Sequence, residues 1–264
     1  MTAQPVHPSL RGRNVVLARP AGQADFLRDS LLALGAEVTL FPGMEIVPCS
    51  ESAGTAQALS ALDQVAWAIF VSGNAVRHGL AAIARHGKWP AGLRCAAVGA
   101  ATAAALEAAG HGPVLRPLET EDSEGLLANP AWGPLEGRRI VIFRGQGGRE
   151  TLATGLSARG AHVRYAEVYR RALPTQNPAP LRAALQERRV DCICALSAET
   201  LHNLFSVLGE ASHARLRETC WVVPHPRVAV AARELGIACL LEAPGSADDA
   251  VLSTLLHHFE RQTQ

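Results

Sequence analysis

The sequence predicts an α/β protein with parallel sheets, built as two similar domains. The main observation is an internal repeat in which residues 12–41 match residues 137–166, offset by 125 positions, with 11 identities over 30. Shorter matches follow at the same offset, for example around Ser72 and Ser197. At 264 residues, with 48% apolar and 19% charged residues, the chain is long and apolar enough for two globular cores. Because two copies of a unit commonly enclose a cleft, we expect function in that cleft.

Short apolar runs alternate with helical patterns in both copies. The strands predicted in the first copy are Asn14–Ala18, Val38–Phe41, Ala66–Val71, Arg94–Val98 and Pro113–Arg116. Those in the second copy are Ile140–Phe143, His162–Ala166, Asp191–Leu196, Thr219–Val223 and Ala238–Leu241. The first helix, Gln23–Leu34, ends at Gly35, and its apolar residues at helical spacing are Phe26, Leu27, Leu31 and Leu34. This alternation predicts parallel sheets covered by helices on both faces.

Two short stretches interrupt the pattern at equivalent places of the two copies. Met44–Cys49 follows the first strand–helix–strand unit, and Glu167–Pro174 follows its counterpart. Two arrangements are compatible with them. The copies are tandem domains joined near residues 130–136, or both stretches are crossovers and each domain combines parts of both copies.

Charge and cysteine usage narrow the class of protein. The net charge of +1 gives no overall attraction to nucleic acid or membrane, so anion binding has to come from local arginines. Six cysteines are present without a CxxC motif, and Cys192 and Cys194 face one side of a predicted strand as packed core thiols. An N-terminus without an apolar signal region and the lack of a long apolar run predict a soluble cytoplasmic protein with reduced thiols.

Polar residues follow many of the predicted strands. Ligands of parallel α/β sheets bind beyond the carboxyl ends of the strands, where helix N-termini offer free N–H groups to carboxylates or phosphates. The residues at these positions are Arg19, Ser72-Gly73-Asn74, Gly99–Thr102, Arg144–Arg149, Ser197 and His225–Arg227. A single Ser or Thr there is typical of a helix cap, but the repeated set favours ligand binding.

Motifs for other chemistries are incomplete or absent. A dinucleotide-binding pattern starting at Gly145 has Glu150 where the third glycine belongs, although an acid follows the next strand at Glu167. The sequence has no GxSxG, HExxH, P-loop or carboxylate cluster suited to a metal, so we predict no metal site. Tyr169 lies in the second interrupting stretch, close to the expected cleft, and either packs or functions there.

The ordered set of motifs resembles the uroporphyrinogen-III synthase family along nearly the whole chain. The matching segments are VSGNAV (71–76), AVGAATAAAL (97–106), SEGLL (123–127), RGQGGRETL (144–152), the segment from Gly160 to Tyr169-Arg170-Arg171, LSAETLHNL (196–204) and VPHPRVAVAARELG (223–236). No single motif is specific, but their order is. Two departures stand out: Gly73 replaces a frequent proline, and Arg227 stands where some members have a hydroxyl.

The resemblance implies two similar doubly wound parallel-sheet domains joined by a two-stranded crossover linker. One domain would comprise residues 1–43 with 173–264, and the other residues 50–166. Residues 44–49 and 167–172 would form the bridging strands. A hinge between the domains is then expected, so that the cleft opens and closes.

The resemblance also implies the reaction. Hydroxymethylbilane, a linear tetrapyrrole with many carboxylates, loses its hydroxyl as water and cyclises with inversion of ring D to uroporphyrinogen III. No cofactor or metal is implied, because the task is largely to hold one conformation. The expected partners are the substrate and, in transient contact, the enzyme that makes hydroxymethylbilane. Nucleic acid and membrane are not expected partners, and the chain is expected to be a monomer.

Site residues follow from motif position. Tyr169 is the expected general acid or orienting group for the departing hydroxyl. The expected substrate-binding residues are Arg19, Ser72, Asn74, Thr102, Arg144, Gly147, Arg149, Ser197 and Arg227. The arginines at positions 144, 149 and 227 are assigned to the substrate carboxylates.

Three other classes of protein compete with this interpretation. A non-catalytic two-domain binder of small anions or tetrapyrroles would share the architecture, and only turnover separates it from the enzyme. A nucleotide-dependent enzyme using the Gly145–Gly148 turn is disfavoured by the incomplete pattern. A regulator that binds DNA is disfavoured too, because no basic stretch remains outside the repeat.

Overall fold

Residues 10–20 and 22–262 are described by the computed structural model, and they form eleven strands in two sheets. The strands are β1 Asn14–Leu17, β2 Glu37–Leu40, β3 Glu45–Pro48, β4 Trp67–Phe70, β5 Arg94–Ala97, β6 Val114–Leu115, β7 Arg139–Gly145, β8 His162–Ala172, β9 Cys192–Cys194, β10 Cys220–Val223 and β11 Cys239–Glu242. The helices are α1 Asp25–Ala33, α2 Ala53–Ser60, α3 Gly73–His86, α4 Ala100–Ala108, α5 Ser123–Ala128, α6 Thr151–Ala158, α7 Ala179–Gln186, α8 Ala198–Leu208, α9 Glu210–Glu218, α10 Pro226–Glu234 and α11 Asp248–Arg261.

Residue contacts divide the chain into two units, each with one sheet. Unit 1 comprises Met1–Glu45 with Ala172–Gln264, and its strand order is β11-β10-β9-β1-β2. Unit 2 comprises Ile46–Arg171, and its strand order is β3-β8-β7-β4-β5-β6. The pairings from β11 to β2 and from β8 to β6 are parallel. The predicted α/β class with parallel sheets is therefore confirmed.

Each sheet combines strands from both copies of the repeat. Unit 1 takes β1-α1-β2 from the first copy and β9 to β11 from the second, whereas unit 2 takes β4 to β6 from the first and β7-α6-β8 from the second. Side chains alternate between two buried faces, as a sheet covered on both sides requires. In β1, Val16 packs in one core and Val15 and Leu17 pack in the other.

Strand β8 and helix α1 differ from the sequence predictions. The predicted strand His162–Ala166 continues to Ala172, because β7 pairs with β8 as far as Tyr169 on one side and β3 lies on the other. The Cys49 N–H donates to the Val168 carbonyl at 3.2 Å in that second pairing. Phe26 is 66% exposed, since Leu27 and Leu31 already form the buried stripe of α1.

The cysteines divide into core thiols and one disulfide. Cys192 and Cys194 are buried on one face of the unit 1 sheet, as predicted. A hydrogen bond with Cys194 and burial raise the pKa of the Cys192 thiol well above its usual range. Cys220 and Cys239 are joined in a disulfide, so the expectation of reduced thiols throughout is wrong for this pair. None of the described helices combines the length and apolar character needed to cross a membrane.

Candidate functional site

A pocket of about 300 Å³ opens in unit 2 at the carboxyl ends of its central strands. Ser72 follows β4, Val98 follows β5 and the Gly147 loop follows β7, and all three line the pocket. In the sheet order, β4 and β7 are neighbours. From β4 the chain continues to β5 and β6 on one side, and from β7 it continues to β8 on the other side, so the topological switch point lies between β4 and β7. Ligands of open α/β sheets bind in the crevice at this point.

Ser72 and Tyr169 meet at the base of the pocket. Ser72 is extended and caps α3, where its Oγ accepts a hydrogen bond from the Ala75 N–H at 3.1 Å. The same Oγ lies 3.2 Å from Tyr169 Oη, within hydrogen-bond distance. Tyr169 is only 8% exposed, although it lines the pocket. The pair therefore places a phenol, held by a helix cap, at the wall of a cavity.

A bulge in β8 sets the position of Tyr169. The register between β7 and β8 shifts after Arg144, so that Arg144 pairs with Glu167 and Gly145 pairs with Tyr169. The Tyr169 ring then lies against Gly145, where an added Cβ would come within 2.6 Å of a ring carbon. Only glycine allows this approach, so the first glycine of the loop makes room for the tyrosine.

Arg144 closes the glycine-rich loop from inside. It is 5% exposed, and its Nε donates to the Gly147 carbonyl at 2.8 Å. Its Nη1 contacts Glu150 Oε1 at 3.1 Å, and its guanidinium lies 4.3 Å from the centre of the Tyr165 ring. The sequence analysis assigned Arg144 to substrate carboxylates, but its Nε and Nη1 donate to groups of the loop itself.

Tyr165 and Glu150 complete this network. Tyr165 Oη donates to Glu150 Oε2 at 2.6 Å. Burial, followed by this hydrogen bond, raises the pKa of Tyr165 to about 12, and the bonds from Tyr165 and then Arg144 lower the pKa of Glu150. The Gly147 N–H is also occupied, since it donates to Glu167 Oε1 at 3.2 Å. Glu150, which replaces the third glycine of the dinucleotide-binding pattern, and Glu167, which follows the next strand, therefore both hydrogen-bond to the loop itself.

Of the other expected residues of unit 2, two line this pocket and two do not. Arg149 lines it and is exposed, and Gly147 lines it with a φ of 73°. Asn74, two residues after the Ser72 cap, is half-buried in the first turn of α3 and is not among the lining residues. Thr102 is 7% exposed within α4 and is not among the lining residues.

Three expected residues lie in unit 1. Arg19 forms an ion pair with Asp248 and donates to the Ser246 carbonyl at 3.0 Å, while its Nε is buried without an acceptor. Ser197 caps α8 and accepts from the Thr200 N–H at 3.1 Å. Arg227 is exposed in the first turn of α10. Arg19, which the sequence analysis expects to bind substrate, is therefore paired with Asp248 in this structure, and its role in binding stays a prediction.

Sequence reasoning missed several residues beside the pocket. Tyr165 and Arg171 line it together with Tyr169, at even spacing along β8. Alternation along the strand does not group them, because the bulge before Tyr169 leaves Tyr165 packed against one core of the sheet and Tyr169 against the other. The His78 ring lies 5.8 Å from the Tyr169 ring, and burial, followed by Arg77, lowers the pKa of His78.

The sequence model described as uroporphyrinogen-III synthase HemD matches residues 25–253 of the chain. The chain belongs to the uroporphyrinogen-III synthase family. It is 34% identical to uroporphyrinogen-III synthase of Salmonella typhimurium, covering 92% of this chain and 99% of that protein. Identity to uroporphyrinogen-III synthase of Escherichia coli is 31%, with the same coverage. The resemblance seen in the ordered motifs is confirmed.

Solved uroporphyrinogen-III synthase structures share the fold. A structure from Helicobacter pylori aligns with a TM-score of 0.57 at 14% identity, covering 93% of this chain and 99% of the other. A mutant enzyme from Thermus thermophilus aligns with a TM-score of 0.56 at 21% identity, covering 94% and 99%. At these identities the likeness establishes the two-sheet uroporphyrinogen-III synthase fold.

Proposed function

We propose that the chain is a uroporphyrinogen-III synthase, a cyclising lyase that converts hydroxymethylbilane to uroporphyrinogen III with inversion of ring D and release of water. Family membership over residues 25–253 supports this activity. The observation that carries the proposal is the switch-point pocket, where the Ser72–Tyr169 pair lies beside Arg149. It combines a proton donor with a cation suited to the carboxylates of the substrate.

In the proposed mechanism, Tyr169 assists loss of the hydroxyl. Tyr169 Oη donates a proton to the hydroxyl oxygen, the carbon–oxygen bond breaks, and water leaves a protonated azafulvene on the bilane and a phenolate on Tyr169. Ring D attacks this carbon through its substituted position and gives a spiro intermediate, which fragments and recloses with ring D inverted. The proton that the macrocycle releases on final closure returns to Tyr169. Ser72 positions the phenol, since its Oγ lies 3.2 Å away. A phenol can donate in this way while neutral at pH 7.

Binding of the carboxylates is proposed for residues at the strand ends of both units. Arg149 is the first candidate in unit 2, because it is exposed at the pocket. Arg227 and Ser197 are the candidates in unit 1. Asn74, Thr102 and Gly147 remain predictions of the same kind. Arg144 is proposed to act through the loop that it closes, by fixing Arg149 at the rim.

Most of the catalytic effect is proposed to come from orientation. Cyclisation of the bilane needs little covalent assistance, so holding ring D in the inverting geometry is the main task. No cofactor is proposed. The domain limits proposed from the resemblance are residues 1–43 with 173–264, and 50–166, with bridging strands between them. We also propose a cytoplasmic monomer.

An isomer assay tests the proposal. Purified protein receives freshly generated hydroxymethylbilane, the products are oxidised, and the uroporphyrin isomers are separated by chromatography. Isomer III in excess over a control without protein is the expected result. Isomer I alone from folded protein would reject the enzyme and favour a non-catalytic tetrapyrrole binder, which a binding titration would then reveal.

A further inference from the structure

Three cysteines form a row across the unit 1 sheet. Cys192 in β9, Cys220 in β10 and Cys239 in β11 are directly paired in the parallel register of these strands. Each is the first residue of its strand, so the row lies at the amino ends of the strands. Ser197 and Arg227 follow the carboxyl ends, at the opposite side of the sheet. Cys220 and Cys239 are joined, with a Cα separation of 4.6 Å.

Helix α11 adds an imidazole to this edge. The ligand atoms of Cys220, Cys239 and His258 all lie within 4.8 Å of one another. The three residues line a cavity of about 320 Å³ within unit 1. The Gln262 side-chain amide nitrogen lies 2.9 Å from His258 Nε2 and donates to it, so this amide has to turn or leave when an ion binds the ring.

We propose that Cys220, Cys239 and His258 bind a borderline divalent cation such as Zn²⁺ when the disulfide is reduced. Two thiolates and an imidazole are ligands that zinc prefers, and around zinc they stand roughly 3.5–4 Å apart, given bond lengths of about 2.0–2.3 Å. All three ligand atoms lie within 4.8 Å of one another, and the two sulfurs, which are bonded to each other in the disulfide, have to part by side-chain rotation to reach this separation. The disulfide occupies both sulfurs, so oxidation excludes the metal.

Reduction and binding balance as two steps. A thiol or phosphine reductant supplies two electrons, the sulfur–sulfur bond breaks, and two protons from water give two thiols. Zn²⁺ then displaces both protons and binds two thiolates and the neutral imidazole. In a reducing compartment the thiol form is the expected one.

Three protein ligands leave the fourth position to water. Asp191 lines the same cavity, but its carboxylate accepts from the Asn14 N–H at 2.8 Å and pairs with Arg13 at 3.2 Å. It is therefore engaged in holding β9 beside β1. Because the three ligands come from β10, β11 and α11, a bound ion would tie the last helix to the sheet edge.

Metal titration tests the site in the full-length protein. The protein is reduced with a phosphine, freed of reductant without air, and titrated with Zn²⁺ against a chromophoric indicator, then with Co²⁺ to observe thiolate charge-transfer absorption. We expect one Zn²⁺ per chain, a higher melting temperature with Zn²⁺, and no binding to the oxidised protein. His258→Gln should weaken binding at least about tenfold.

Matched variants separate the site from adventitious thiol binding. His257→Gln, an exposed neighbour on α11, and Cys49→Ser, a half-buried thiol of unit 2, should bind Zn²⁺ as the wild type does. Cys220→Ser and Cys239→Ser should abolish binding. Equal affinity of His258→Gln and His257→Gln, or no binding by the reduced wild type, would overturn the proposal. His258 lies on a helix surface, so this comparison stands even where a cysteine variant fails to fold.

Discussion

The hydroxyl groups of Ser72 and Tyr169 lie 3.2 Å apart, while Ser72 Oγ also accepts the Ala75 N–H at 3.1 Å. One serine thus fixes the start of α3 and touches the phenol that we propose for catalysis. A change in the position of the first turn of α3 would therefore also move the Tyr169 hydroxyl that lines the pocket. The predictions below separate the capping, positioning and chemical parts of this arrangement.

Tyr169→Phe removes the proposed donor and keeps the ring. We expect isomer III formation to fall about 100-fold, the lower range for loss of a general acid, with spontaneous isomer I taking its place. Isomer ratios from timed reactions and circular dichroism of the variant provide the measurement. Wild-type turnover with intact folding would exclude the chemical role of Tyr169.

Ser72→Ala removes a helix cap and the Tyr169 contact together. Ser52 is the matched control, because it caps α2 in the same unit and accepts from the Thr55 N–H at 3.1 Å. Both alanine variants should lose about 1 kcal/mol of unfolding free energy. Only Ser72→Ala should also lose activity. Similar activity in both variants would show that Ser72 serves the helix alone.

Gly145→Ala introduces a Cβ against the Tyr169 ring. The clash at 2.6 Å forces the ring or the bulge to move, so we expect a loss of about 1–3 kcal/mol in stability and a strong loss of turnover. Gly54→Ala in α2 is the control, since its nearest neighbour is 3.9 Å from the added Cβ. A crystal structure of Gly145→Ala with Tyr169 unmoved would contradict this account.

Tyr165 should titrate far from an ordinary tyrosine. The chain has two tyrosines, so Tyr169→Phe leaves Tyr165 as the sole one. Its tyrosinate absorbance should reach half of the full change near pH 12 instead of about 10, because burial and the bond to Glu150 favour the neutral phenol. A raised pKa of this acid means that its stabilising contribution is complete below pH 10 and is lost as the pH rises through about 12. Glu150→Gln should lower the midpoint, yet leave it above 10.

Arg149→Ala removes an exposed cation at the pocket. We expect KM for hydroxymethylbilane to rise about threefold, as for one exposed ion pair, with kcat nearly unchanged. The dependence of KM on salt should become shallower, because one charge pair fewer is screened. Arg85→Ala, on the exposed end of α3, should leave both quantities at wild-type values. Identical salt profiles for the two variants would remove Arg149 from the binding surface.

Local sequence patterns were sufficient to predict most of the strands, but they left open which strands share a sheet. Hydrophobic runs and the repeat locate β1 and β7, and polar residues after the predicted strands identify Ser72 and Arg149. Tyr169 is indicated by its place in the second interrupting stretch and by the family resemblance. What could not be predicted depends on pairing between distant strands. The disulfide forms because Cys220 of β10 is directly paired with Cys239 of β11. The sequence shows that the two cysteines are 19 residues apart, but it does not show which residues of the two strands are paired.

The internal use of Arg144 is a second feature outside the reach of the sequence. An arginine after a strand and before glycines is typical of anion binding. Its guanidinium is instead enclosed by Gly147, Glu150 and Tyr165, and that enclosure depends on the conformation of the loop. Phe26 is a third such feature. Its helical spacing groups it with the apolar residues of α1, but Leu27 and Leu31 face the core and Phe26 is exposed, which the spacing alone does not show.

The strand order has a consequence for biosynthesis. Unit 2 is continuous from residue 46 to 171, whereas β1 is the neighbour of β9, which a ribosome completes only at residue 194. The nascent chain therefore exposes an unpaired β1 edge while all of unit 2 is made and folds. We therefore expect unit 2 to fold before unit 1 is complete, and the β9-facing edge of β1 to stay open until β9 is made.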